Sequence, residues 1–598
     1  MNSSETGLLE FYQNKIKAYA KKIHQLKNKT NGIAILRTLF FLGWLYLLYQ
    51  YFLSKQTVFL NFSFLILAGF LALVSLFVHY NHTKKIYQNK LWFAQNETNV
   101  LQGKMNDFED GSAFISNEGY LFDLDIFGKQ SLFHLLNRTT TTLGKQLLCE
   151  RLRHPILQKK ELEAYHTAVK TYSKQYHILE EWIATALLHK QENESNNSSI
   201  LLEQWVTNYI SLNKRNYFNV IRFVLPSFSI LALLYTLDSG NYAWLSACII
   251  LNWVHVLMVG KHNGKAFLQI GKHQEVLQTY SRFFKIFSKV YVEDATILKV
   301  QQSTSIEAAR GIAKLSFIAN LVHQRFNLLA VIVLNSFIMY DVHCAVLLSK
   351  WHKIHNGKLK EWLAAIGEIE YLNCITLFHY NNPNFVFPEI KTEGIQLHAT
   401  NITHPMLVSG KTIANNFQLD DAGVILITGS NMSGKSTFLR TVGINLVLAE
   451  MGAPVCASYF SFTPMFLFSC IRVADSLQEN TSYFMAELQK LQYIKNELTS
   501  HYPALILIDE ILRGTNSADK YEGSAQFILQ LIKQPCIVLF ATHDLKLSNL
   551  EDDNPTHIKN YCFESVIENN QLSFDYVLRK GVAQNKNATF LMKKMGII

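Results

Sequence analysis

The clearest chemistry in this 598-residue chain sits in nine consecutive residues, Gly429-Ser430-Asn431-Met432-Ser433-Gly434-Lys435-Ser436-Thr437. This is a G-x-x-x-x-G-K-S loop, a pattern in which glycines let the backbone wrap a phosphate and present successive N–H groups to it. Lys435 is then placed to reach the β- and γ-phosphates of a nucleotide, and the Ser436 hydroxyl to hold Mg²⁺. ATP and Mg²⁺ are the expected ligands. Two further strand ends carry complementary groups. Asp509 is expected to complete the Mg²⁺ shell, and Glu510 to orient or activate water as general base. His543, in Thr542-His543-Asp544, is expected to sense the γ-phosphate through a neutral imidazole.

Groups so far apart in sequence meet only if strand ends and a helix N-terminus bring them together. Val424–Thr428 reads as a buried parallel strand feeding the loop, and Thr437 to about Glu450 as the helix behind it. Ala504–Ile508 and Cys536–Ala541 read as two more buried strands, each ending in one of the functional pairs. The expectation is an α/β domain whose site lies at the carboxyl ends of a parallel sheet.

Composition points elsewhere for the remaining chain. Hydrophobic residues make up 49% and charged residues only 17%, with a net charge of +10. That excludes a disordered, collagen-like or disulfide-stapled chain. The eight cysteines form no C-x-x-C pair, and the histidines form no H-E-x-x-H pattern, so no zinc site is expected. The apolar excess concentrates in 33–53, 58–78, 223–237 and 242–260. A crossing needs about 20 apolar residues, so these read as two transmembrane hairpins turned by 54–57 and 238–241. Lys21, Lys22, Lys27 and Lys29 precede the first pair, and Lys84, Lys85 and Lys90 follow it. Lys214, Arg215, Lys261, Lys265 and Lys272 flank the second. By the positive-inside rule both termini and the ATPase face the cytoplasm. A fifth apolar run, Leu328–Tyr340, is short and reads as a core helix.

Taken together and in order, these residues resemble the ATPase of the MutS-type DNA mismatch repair family, itself related to ABC-type ATPases. Thr428–Thr437 is close to the family's T-G-P-N-M-G-G-K-S-T, with Ser430 and Ser433 replacing its Pro and one Gly. Asp509-Glu510-Ile511-Leu512-Arg513-Gly514-Thr515 is similar to D-E-x-x-R-G-T, and Ser482–Glu487 to S-T-F-M-x-E. Ile402–Leu407 resembles the family's His-Pro entry, Phe574–Leu578 through Gly581 and Gly596 its closing segment, and Leu124–Leu148 the start of its core domain. The resemblance implies a homodimer in which Ser482 reaches the partner's γ-phosphate and Gly514 and Thr515 lie on the dimer face. It also implies DNA as a partner. No mismatch-reading domain is expected before Phe122, and the sole Phe-x-Glu, Phe387-Pro388-Glu389, stands beside the ATPase, so mismatch reading is not expected. A C-terminal dimerising helix-turn-helix is not expected either.

The fold class expected is an α/β P-loop ATPase domain, of ABC or MutS type, plus a mostly α-helical core and lever region carrying transmembrane helices. The divisions are 1–32, a basic segment; 33–80, the first hairpin; 81–217, a linker and core start; 218–260, the second hairpin; 261–395, core and levers; and 396–598, the ATPase. The leading functional expectation is a membrane-anchored, ATP-switched dimeric clamp on DNA, in repair or recombination. A membrane scaffold or remodelling switch without DNA is the alternative. An ABC-type transporter subunit is weaker, because no L-S-G-G-Q-like stretch lies between the loop and Asp509.

Overall fold

A computed structural model describes residues 3–116, 119–192, 215–293, 295–355, 357–407, 412–472, 483–498, 503–512, 516–568, 571–584 and 597. Ten strands form two sheets. The smaller contains β1 (Glu389–Ile390), β2 (Leu397–Ile402), β3 (Asn415–Leu419) and β5 (Tyr459–Phe462), in the order β1-β5-β2-β3. The larger contains β4 (Gly423–Gly429), β6 (Phe466–Cys470), β7 (Ala504–Asp509), β8 (Cys536–Thr542), β9 (Ile558–Glu568) and β10 (Gln571–Lys580). Its order is β10-β9-β4-β8-β7-β6. From β9 to β6 all neighbours run parallel, and β10 closes the edge antiparallel to β9.

Every residue of β4, β7 and β8 is buried. Parallel strands covered on both faces read as unbroken apolar runs, which is why the sequence shows them plainly. Register brings their ends level: Thr428 lies opposite Thr542, and Asp509 opposite Ala541. The helix expected from Thr437 begins two residues earlier and spans Lys435–Glu450. Gly434, at φ 110°, turns the loop straight into it.

The remaining chain is helical. Helix α1 (Ser3–Ser54) and helix α2 (Thr57–Leu101) form an antiparallel pair. Both run unbroken through residues 32 and 80. A second pair is Arg215–Ser239 with Ala243–Lys272. Thr6–Ser54, Thr57–Leu101, Asn216–Ser239 and Ala243–Lys261 are long and apolar enough to cross a membrane. Their most apolar stretches face outward, with Leu45, Phe52, Leu65, Phe228 and Leu257 all exposed.

The opposite ends of α1 and α2 are rooted in the core. Tyr12 and Phe93 are fully buried, and the Tyr12 hydroxyl donates to Asn381 Oδ1 at 2.8 Å. Glu97, also fully buried, receives Arg138 Nε at 2.5 Å and Nη2 at 3.1 Å, and Asn381 Nδ2 at 2.7 Å. Glu370 does similar work nearby. Its carboxylate accepts from the backbone N–H and hydroxyl groups of both Thr140 and Thr141, just ahead of the helix Thr142–Arg153.

One expectation is corrected here. The fifth apolar run forms the helix Leu328–Ile338, but it is not a core helix. Leu328, Leu329 and Val333 are exposed, and the buried positions are Asn335 and Ser336. Its polar side is instead taken up by the second hairpin, where Asn252 and Trp253 bond to Ser336. A length criterion separates a full crossing from a shorter helix, but not one short apolar helix from another.

Glu97→Ala should destabilise the chain by about 3–5 kcal/mol, because it leaves the Arg138 guanidinium buried without its carboxylate. Thermal unfolding of the detergent-solubilised protein checks this, and a joint apolar replacement of Glu97 and Arg138 should cost less.

Candidate active site

The loop between β4 and the helix Lys435–Glu450 turns on three residues with positive φ: Gly429 at 152°, Met432 at 68° and Gly434 at 110°. A Cβ on Gly429 would fall 2.8 Å from the Phe563 carbonyl oxygen, so glycine is required there. Lys435 is buried, and its ammonium donates to the carbonyls of Gly429 (2.9 Å) and Ser430 (3.0 Å). Asn431 and Met432 stand exposed at the crest, whereas Ser433 is buried. Ser433 Oγ has no hydrogen-bond partner among the described residues. Thr437, one residue into the helix beyond Ser436, is exposed at its mouth.

The three strand ends converge on this loop. Ser436 Oγ donates to Asp509 Oδ2 at 2.5 Å, which brings together two hard oxygen donors of the kind Mg²⁺ takes. That donor set fits the cation. Glu510 leaves β7 at φ 51°, with its N–H donating to the Ala541 carbonyl at 3.0 Å. Its Oε1 lies 2.9 Å from His543 Nε2, which in turn lies 3.3 Å from Lys435 Nζ. Burial lowers the His543 pKa below its ordinary value, and the Lys435 charge lowers it further, against opposing effects from the Gly429 backbone and Asp509. The net shift favours the neutral imidazole, the form expected from the sequence. Lys435, Ser436, Asp509, Glu510 and His543 thus meet at the carboxyl ends of the central strands β4, β8 and β7. Ser482, Gly514 and Thr515 lie outside the described residues.

Several residues that position this site carry no individual role in the sequence reading, although His404, Glu487 and Tyr576 lie in segments named there. A cavity of about 320 Å³ opens beside Gly434 and Thr437, lined by Ile402, His404, Ile413, Phe438 and Tyr576. Burial and the Arg440 charge lower the His404 pKa to about 4, so this wall is uncharged. Tyr576 sits at φ 57° in the register shift of β10 between Phe574 and Leu578. Asn415 clasps that bulge: its Nδ2 donates to the Tyr576 carbonyl (3.1 Å) and its Oδ1 accepts from the Leu578 N–H (2.7 Å). A cavity next to a phosphate loop that combines aromatic walls (Phe438, Phe563, Tyr576) with polar groups (Thr412, Asn415, Thr441) suits a nucleobase.

Glu487, buried on the helix Tyr483–Glu497, accepts from the Leu512 N–H at 2.9 Å. It ties the helix that follows Ser482 to the turn that follows Glu510. Two aspartates from the helical region grip the same machinery. Asp123, fully buried, accepts from Ser469 Oγ, the N–H groups of Ile471 and Arg472, and Lys490 Nζ. Asp125 pairs with Arg472 at 2.6 Å and with Arg440 at 3.0 Å. Arg440 stands one helical turn beyond Ser436. Both partners lie more than 300 residues from the aspartates, a separation no local pattern reveals.

Residues 425–596 match the family model of MutS domain V, and residues 117–200 that of MutS domain III. Human MutS protein homolog 4 is 30% identical over 261 residues, covering 42% of this chain and 27% of that protein. The DNA mismatch repair protein MutS of Methanosarcina mazei is 32% identical over 229 residues, 37% of this chain and 25% of the relative. That of Thermotoga sp. strain RQ2 is 31% identical over 254 residues, 42% and 31% respectively. The chain thus spans about a quarter to a third of the length of these curated relatives. Domain V is the family's ATPase domain, and the loop, Asp509, Glu510 and His543 all fall within its match. Asp125, which holds Arg440 on the P-loop helix, and Asp123, which holds the end of β6 and Lys490, both fall within the domain III match. Residues 117–200 and 425–596 thus match two domains of the MutS family, the second of them assembled around a phosphate loop.

Proposed function

We propose that this chain is a membrane-anchored, ATP-hydrolysing switch of the MutS type that closes as a dimer and holds DNA. The observation that carries the ATPase reading is the meeting of Lys435, Ser436, Asp509, Glu510 and His543 around one loop. Ser436 and Asp509 would hold Mg²⁺, which when bound neutralises charge between the β- and γ-phosphates. Lys435 exchanges its two loop carbonyls for phosphate oxygens. Glu510 takes a proton from the water that attacks the γ-phosphorus as ADP leaves. Neutral His543, whose single N–H serves the Glu510 carboxylate in this structure, turns that N–H to a γ-phosphate oxygen when ATP is bound. The nucleobase enters the cavity beneath Tyr576. Ser482 of a second copy completes the site across the dimer, with Gly514 and Thr515 on the same face.

Two apolar hairpins with basic flanks support anchoring, with the ATPase and both termini in the cytoplasm. The resemblance to mismatch repair proteins supports DNA as the partner. The exposed apolar faces of α1 and α2 favour a second reading, a membrane scaffold that uses the same dimer without DNA.

Lys435→Ala should lower ATP turnover by at least about 100-fold, because a preorganised cation is lost from the phosphate site. Glu510→Gln should lower it by about 10²–10⁴-fold while retaining bound ATP. Single-turnover assays with labelled ATP check both, and undiminished turnover in Lys435→Ala would sink the site assignment.

The lowered His543 pKa fixes the sign of the pH response. The neutral ring persists below pH 6.5, so turnover should hold there and decline only at more acidic pH. A kcat profile with its acid limb above pH 6.5 contradicts this.

DNA affinity, measured with and without ATP, should fall steeply with added salt, since phosphate contacts release counterions. Absence of binding to homoduplex, mismatched and branched DNA at low salt selects the scaffold reading.

A further inference from the structure

The helix Leu328–Ile338 is turned inside out. Leu328 is 72% exposed, Leu329 76% and Val333 56%, whereas Asn335 is fully buried. Helices of a water-soluble core show the opposite pattern. The buried polar side fastens the helix to the second hairpin. Asn252 Nδ2 donates to the Ser336 carbonyl at 2.7 Å and to Ser229 Oγ at 2.9 Å, and Trp253 Nε1 donates to Ser336 Oγ at 3.1 Å. Polar contacts between helices with apolar side chains outside are the packing expected in hydrocarbon. On the neighbouring helix, Val254, Leu257 and Met258 are exposed as well, so the apolar surface continues from one helix to the next.

Geometry sets the depth. Asn252 lies midway along the apolar segment Ala243–Lys261, so Ser336 sits level with the middle of that segment. Eleven residues rise only ~16 Å, about half of the ~30 Å hydrocarbon core. The chain bends by 104° between Thr296–His323 and Leu328–Ile338. At the far end Met339, at φ 50°, breaks the helix, and the chain returns through Tyr340–His355. Arg325 on the way in and Asp341 on the way out form an ion pair of 2.9 Å, and His343 Nε2 lies 3.0 Å from the Arg222 carbonyl at the basic mouth of the second hairpin. Entry and exit are therefore on the same side.

We propose that Leu328–Ile338 dips into the lipid leaflet nearest the ATPase, beside the second hairpin, and returns without crossing. This rests on the membrane-anchored reading, which it extends from four segments to a fifth, half-depth contact. The acyl chains of that leaflet are the partner of the exposed face.

The test uses the full-length protein in phosphatidylcholine–phosphatidylglycerol vesicles, with nitroxide labels on Leu329→Cys, Val333→Cys and Ile338→Cys. Leu65→Cys serves as the hairpin reference and Asp421→Cys as the aqueous one. Unsubstituted protein gives the labelling background, and retained ATP turnover shows that each variant folds. Collision with oxygen against a water-soluble nickel chelate reports the surroundings of each label. The labels on the short helix should match Leu65→Cys, favouring oxygen, with depth increasing from residue 329 to 338 and ending near the bilayer centre. Nickel access at 329 and 333 with Leu65→Cys still in lipid overturns the dip and leaves the anchoring intact. Nickel access at Leu65→Cys as well overturns both. A position 338 beyond the bilayer centre overturns the dip in favour of a crossing.

Discussion

The site is organised around a buried positive charge. Removing an ammonium from water is costly unless oxygen atoms surround it. Lys435 meets that requirement with the carbonyls of Gly429 and Ser430, which folds the loop back over its own lysine. Burial lowers the His543 pKa and the same charge lowers it further, and the ring in turn lies against Glu510. One buried charge thus bears on the loop, on His543 and, through His543, on Glu510. A nucleotide offers Lys435 phosphate oxygens in place of carbonyls. The loop is therefore held in a form that a phosphate can displace.

How much of this was legible in sequence depended on distance along the chain. β4, β7 and β8 were plain because complete burial erases polar interruptions, and the loop, Asp509, Glu510 and His543 follow directly from their ends. Asp123 and Asp125 were hidden inside an ordinary-looking Asp-Leu-Asp. Their partners Arg440, Arg472 and Lys490 are brought to them only by the packing of the helical region on the ATPase. Asn415 was hidden for the same reason, and Tyr576, although inside the segment Phe574–Leu578, carried no role of its own. The clasp between them depends on a bulge in β10, and no periodicity marks a bulge. The helix Leu328–Ile338 failed differently. Its composition was read correctly, and the surroundings assigned to it were wrong.

The two carboxylates from the domain III match deserve separate weight as connections. Asp125 holds Arg440 on the helix behind the phosphate loop and Arg472 at the end of β6. Asp123 holds that same strand end and Lys490, on the helix that follows Ser482. A shift of the phosphate loop relative to the Ser482 element must therefore rearrange contacts made by a segment that leads into the helical region. Glu487 adds a shorter path between the same element and the turn after Glu510.

The continuity of α1 has a mechanical meaning. It runs from Ser3 to Ser54 without a break, about 78 Å at 1.5 Å per residue. Near one end Tyr12 is locked into the core, and near the other Phe52 stands exposed at the tip of the first hairpin. A stiff rod clamped at its base cannot absorb motion along its length. Any rotation of the core around Tyr12 must emerge, magnified, as a sweep of the hairpin tip.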